Sequence, residues 1–190
     1  MTDVLTVVRD AEKSRPLTKR FVRDQVTNKA APQPTKFPTF YSVEQIPIDG
    51  IFSLAETLQR IAQEGKAAII RDEPKAGINW RYTKKSSKTF TPVPRRWIAI
   101  EFDSLIPPDH IDPLHWDDAV EYCLAQLPPE LERASCWAAF TSSAGIEPGI
   151  RMQLLFWLDR SLEKAEIVSC VIHGGIIGHA NGGNGAAVAG

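Results

Sequence analysis

The residues best suited to chemistry sit at the end of an apolar run, Trp97-Ile98-Ala99-Ile100-Glu101-Phe102-Asp103. Side chains two apart on a strand point to one face, so Glu101 and Asp103 present their carboxylates together. Carboxylates delivered by a buried strand are a common way to hold a divalent cation such as Mg2+ or Mn2+. The same pattern also describes a strand that ends in ordinary solvated acids, and the pair alone does not choose.

A second group is the small-residue turn Ser142-Ser143-Ala144-Gly145, lying between the apolar runs 135–141 and 151–159. Hydroxyls and backbone amides at such a hairpin tip suit a phosphate, and Arg151 at the base of the second strand adds a charge-assisted donor. A Ser-rich turn is also often only a turn. A third group, His110 and His115 among Asp109, Asp112, Asp117 and Asp118, matches no common metal-ligand spacing. Asp117 and Asp118 have a structural reason to be there, in the first turn of a helix where the macrodipole favours acids.

Basic residues precede the carboxylate strand. Within 71–96, Arg71, Lys75, Arg81, Lys84, Lys85, Lys88, Arg95 and Arg96 face only Asp72 and Glu73, with Trp80, Tyr82 and Phe90 interleaved. Cations that track phosphates, with rings between them for stacking, describe a nucleic-acid contact surface. Arg81, Lys84, Lys85, Lys88, Arg95 and Arg96 are its candidates; a solvated lysine loop is the plainer reading.

These groups need a scaffold, and the pattern predicts an α/β (α+β) chain with a mixed or antiparallel sheet core and flanking helices. Val4–Arg9 is a β-branched strand and 17–22 a second, predicting an N-terminal hairpin. Residues 27–39, with Pro32, Pro34 and Pro38, read as an extended connector, and 42–51 as a loop. The spacing of Leu54, Leu58, Ile61 and Ala62 predicts a helix over 53–62, with Ser53 as N-cap, Glu56 at the capping-box position and Gly65 as stop. Ala67–Arg71 is a short buried strand. A second helix is expected over 116–127, with Trp116, Val120, Cys123, Leu124 and Leu127 on or near one face. The organisation is then 1–40, hairpin and connector; 41–166, the α/β domain; and 167–190, a Gly/Ala-rich tail.

Composition sets the outer limits. The chain has 190 residues, 43% of them hydrophobic, and five Trp, enough for one domain with a real core. Three widely spaced cysteines, Cys123, Cys136 and Cys170, suggest no disulfide framework and fit a cytoplasmic setting. No secretory signal and no run of about eighteen apolar residues is visible, so no membrane partner is expected. The net charge of −1 hides a segregation, with a balance of +8 over 1–96 and −9 over 97–190. A basic part beside an acidic part suits a protein that grips a phosphate backbone and also holds metal; mutual neutralisation of two packed halves is the alternative.

Taken together, Arg96–Asp103, then Cys136-Trp137 with Thr141–Ile146, then Pro148–Arg151 with Leu155–Arg160, resemble the primase-polymerases of plasmids, phages and integrated elements, in the archaeo-eukaryotic primase superfamily. The opening Leu5–Val8 and Leu17–Phe21 also look like the start of such replication proteins. The resemblance covers roughly 4–166. It implies a metal-dependent primase core that joins nucleotides on a single-stranded DNA or primer-template strand, with a helicase or other replication protein as a possible partner. It also implies that Glu101 and Asp103 hold Mg2+ or Mn2+, while Ser142, Ser143 and Arg151 lie in the nucleotide-phosphate region. Two residues depart from the family's pattern: Glu101 stands where the first motif commonly has Asp, and Gln153 lies on a strand that often carries His. No third acid on a later strand is evident, and the tail 167–190, with His173 and His179, shares nothing with what precedes it. A shifted or shortened reading frame near residue 167 would account for that tail. A non-catalytic nucleic-acid-binding fragment is the alternative function.

Overall fold

The computed structural model describes residues 2–12, 17, 19–27, 29–33, 40–76, 80–82 and 89–167, with 80–82 placed by backbone alone. Lys84, Lys85 and Lys88, most of the Pro-rich connector, His173, His179 and the tail from 168 onward lie outside them.

Two antiparallel sheets carry the chain, which is of the α+β class. In the first, the order is β5(Ala67–Ile70), β1(Asp3–Asp10), β4(Phe40–Ile48), β7(Trp80–Tyr82). The second has β11(Ile150–Leu162) between β10(Cys136–Phe140) and β9(Arg95–Leu105). Two short ladders complete the set, β2(Phe21–Arg23) with β3(Ala30–Pro32) and β6(Glu73–Pro74) with β8(Phe90–Thr91).

Two sequence expectations change here. The first strand does not pair with 17–22: β1 sits between β4 and β5, in register Val7 to Glu44 and Val7 to Ile69. A run as apolar as Leu5-Thr6-Val7-Val8, buried on both faces, is best satisfied by neighbours on both edges. Residues 42–48, expected as loop, are strand β4. Pro47 is tolerated within it because β7 covers only Phe40–Ser42, so the strand carries no second neighbour at Pro47 among the described residues.

Helix α1(Ile51–Glu64) follows β4 directly and buries Leu54, Thr57, Leu58 and Ile61. Gly50, not Ser53, is its N-cap; Ser53 lies one turn in, and its Oγ accepts from the Gly50 N–H (3.3 Å) and donates to Asp49 Oδ1 (2.7 Å). Gly65 ends the helix in the left-handed region at φ 59°, as expected. Helix α2(Trp116–Leu124) buries Ala119 and Cys123 rather than Trp116, which is exposed; α3(Pro129–Glu132) follows.

The β9–β11 sheet has two differently covered faces. Ile98, Ile100 and Phe102, with Met152, Leu154 and Phe156, pack against Ala119 and Cys123 of α2. On the other face, Trp97 and Leu155 join Leu5, Val7, Leu58 and Ile61 in the core of the first sheet and α1. Polar side chains lock the two sheets together. Arg71, just after β5, donates to the carbonyls of Trp97, Arg95 and Leu162 and lies over the Trp97 ring. Trp97 Nε1 donates to the Val4 carbonyl at 3.2 Å. Burial lowers the Arg71 guanidinium to about 10, with the Arg95 charge adding to the effect.

Candidate functional site

Strand β9 alternates as the sequence predicts: Ile98, Ile100 and Phe102 point into the core, and Ala99, Glu101 and Asp103 share the opposite face. Antiparallel register carries that face across to β11, where Glu101 opposes Gln153 and Asp103 opposes Arg151. The loop between β10 and β11 then folds back over the Arg151 end. Its Thr141 N–H donates to the Arg151 carbonyl (2.9 Å), and the Ile146 and Glu147 N–H groups both reach the Ser143 carbonyl (3.1 Å). Gly149, at φ 84°, makes the return turn where a Cβ would come within 2.8 Å of the Leu105 carbonyl oxygen.

Asp103, Ser143 and Arg151, separated by as many as 48 residues, meet at one guanidinium nitrogen. Arg151 Nη1 bonds Asp103 Oδ1, Glu147 Oε2 at 2.9 Å and Ser143 Oγ at 3.3 Å. The Arg151 side chain is only 11% exposed, whereas Asp103 is 70% exposed. Its Nε is buried with no acceptor among the described residues, so the guanidinium retains hydrogen-bonding capacity. Ser142 flanks this network but its side chain takes no part in it. Glu147 was not singled out in the sequence. Its i, i+4 spacing to Arg151 was the only available signal, and that spacing has no special meaning in a loop.

Glu101 differs from Asp103 in environment. It is half-buried, and its carboxyl is held above the ordinary value of 4.5, first by burial and then by the Asp103 charge, with Lys19 partly offsetting both. Opposite it on β11, Gln153 is 7% exposed.

Not every expected site residue joins this group. Arg95 is withdrawn from the nucleic-acid set. It is buried, paired with Asp3 (3.0 Å) and Glu73 (3.2 Å), and donates from Nε to the Arg71 carbonyl (3.0 Å). Arg96 lies over the Trp157 ring and donates to the Leu158 and Asp159 carbonyls, so it too is engaged within the fold. Both were read as approach residues because they precede the carboxylates. On a strand, however, position in sequence says nothing about which contacts wait on either edge. Arg81 lies on β7, opposite Tyr41 and remote in the pairing from β9. His115 bonds Asp118 across one helical turn (3.2 Å), and this loop forms no metal cluster.

The donor set fits a divalent cation of one kind only. No group of three or more His, Cys, Asp or Glu able to hold a metal occurs among the described residues. An all-protein cage is therefore not built here. Mg2+, by contrast, is commonly held by one or two carboxylates with substrate phosphates and water completing the octahedron. Glu101 and Asp103 present that number on one face, and the Glu101 anion, disfavoured by burial and then by the Asp103 charge, is one that a bound cation would stabilise. No helix among the described residues is long and apolar enough to cross a membrane. No protein family, curated protein or solved structure matches the chain.

Proposed function

We propose that this protein binds a nucleoside triphosphate with Mg2+ or Mn2+ at the Glu101–Asp103–Ser143–Arg151 face and transfers the nucleotide to a growing strand on a single-stranded DNA template, as a primase does. The observation that carries the reading is the convergence of these four residues. Two are carboxylates suited to a metal and two are suited to a phosphate, and they occupy adjoining positions on β9, β11 and the connecting loop.

In this reading Asp103 and Glu101 hold the cation, and Arg151 and Ser143 hold a non-bridging phosphate oxygen. Asp103 and Glu147 orient the guanidinium before substrate arrives; a phosphate then replaces part of their hold on it. Glu101, destabilised as an anion by burial and by Asp103, gains most from the cation's charge. A cation held by Glu101 and Asp103 would supply a lowered pKa at the attacking hydroxyl and charge stabilisation at the departing pyrophosphate. The bond formed joins the strand's 3′ oxygen to the α-phosphorus, the bond broken links the α-phosphorus to the bridging oxygen, and the hydroxyl proton passes to solvent.

A primer-synthesis assay with labelled nucleotide, single-stranded template and Mn2+ or Mg2+ tests this. Incorporation is expected, and a Glu101→Ala/Asp103→Ala double variant should lose it while keeping its fold. Template binding without incorporation by the wild-type chain sinks the reading. That result favours a second one, a non-catalytic nucleic-acid-binding accessory, for which the absence of a third carboxylate ligand among the described residues already speaks.

A further inference from the structure

Residues 19–33 project a two-stranded ribbon that belongs to neither large sheet. Phe21, Val22 and Arg23 pair with Pro32, Ala31 and Ala30, and the ladder is extended at both ends by Gln33 N–H to the Arg20 carbonyl (2.7 Å) and Asp24 N–H to the Lys29 carbonyl (2.8 Å). Such a ribbon lacks a core of its own: among its described residues only Phe21 and Ala30 are even half-buried. What it displays is charge. Lys19, Arg20, Arg23 and Lys29 are all exposed.

The single acid of the ribbon, Asp24, offsets only one charge and is held in the turn. Asp24 Oδ1 accepts from the Val26 N–H (2.9 Å), the Thr27 N–H (2.7 Å) and the Thr27 hydroxyl (2.9 Å), which also holds its carboxyl below the usual range. This Asx turn rigidifies the tip and leaves Val26 93% exposed there. Lys19, at the base of the ribbon, lies within electrostatic reach of Glu101.

We propose that the β2–β3 ribbon is a surface that holds the nucleic-acid strand, with Lys19, Arg20 and Lys29 contacting its phosphates. It rests on the nucleic-acid part of the function proposed above and adds a surface which the basic segment 71–96 was expected to provide. Segregation explains why the cations are here. Residues 97–190 carry a balance of −9, which opposes a polyanion and which a basic arm offsets.

The test is fluorescence anisotropy of a labelled single-stranded oligonucleotide, over a salt series, on the full chain. A Lys19→Ser/Arg20→Ser/Lys29→Ser variant changes only exposed side chains, and its thermal midpoint is measured alongside. Each single-strand phosphate contact adds about 0.7 to the slope of log affinity against log salt, so the variant's slope should fall by about 2. Affinity at low salt should fall at least about ten-fold. An unchanged slope and affinity in a folded variant overturns the inference, as does a wild-type chain that binds no oligonucleotide. The Glu101→Ala/Asp103→Ala variant separates the two proposals. If binding depends on the ribbon while no incorporation occurs, the ribbon stands and the catalytic reading falls. If incorporation occurs and the triple change leaves both binding and incorporation intact, the ribbon falls alone.

Discussion

Arg95→Ala asks whether this guanidinium holds the fold or faces a nucleic acid. The Arg95 side chain is 4% exposed and its partner Asp3 9%, so the pair is desolvated on both sides. Breaking such a pair from one side leaves an uncompensated buried charge and costs about 3–5 kcal/mol. Two features place Arg95 at the lower end. Asp3 keeps the N–H groups of Val4 and Arg96, and the second partner, Glu73, is exposed enough that its own bridge is worth under about 1 kcal/mol. A loss of about 3 kcal/mol follows, and in a chain of this size it lowers the thermal midpoint by roughly 6–12 °C. Urea unfolding followed by Trp fluorescence measures it directly, since Trp97 is buried two residues away. An Asp3→Ala/Arg95→Ala double variant should lose less than the two single losses together, because the pair is then removed as a unit. Oligonucleotide affinity at a temperature where the variant is folded should not change. A stability loss under about 1 kcal/mol together with weakened oligonucleotide binding would refute the reasoning, because that is how an exposed phosphate contact behaves.

Three further outcomes follow from the same geometry. Because the Glu101 carboxyl is raised in the folded state, the folded protein holds a proton that the unfolded chain has released. That stability is complete below 4.5 and is lost as pH rises through the raised value. Glu101→Gln should therefore raise the thermal midpoint near neutral pH, with the gain closing below 4.5; a pH-independent effect would contradict this. Gly149→Ala should cost about 2 kcal/mol in urea unfolding, from positive φ and the Leu105 carbonyl, and more than Gly145→Ala, whose Cβ meets the end of the Leu114 side chain, nearest at 3.2 Å. Burial pushes the Cys123 thiol up to about 12, so labelling followed by mass spectrometry should find it unreactive in the folded protein and reactive on unfolding. Fast labelling at neutral pH would show that Cys123 is not buried between α2 and the β9–β11 sheet as described.

The sequence by itself determined the parts of this protein that depend on periodicity. Alternation along 97–103 determined that Glu101 and Asp103 share a face. The three-and-four spacing of Leu54, Leu58 and Ile61 determined α1, and small residues at 142–145 determined the turn that returns β10 to β11. Each is a local property, set by side-chain direction within one element or by the conformational range of a few residues. What tertiary structure decided was pairing. Nothing in 3–10 or 40–48 states that these strands are neighbours, because edge partners are chosen by which apolar faces can be buried together. The fates of Arg95 and Arg151 show the same division. Both are arginines at a strand's beginning, and both were read as facing phosphate. One lies where β9 crosses Asp3, and is consumed by the fold; the other lies opposite Asp103, beside a loop that brings in Ser143 and Glu147. The carboxylate pair was legible in the sequence. The arginine that stands over it was a matter of register.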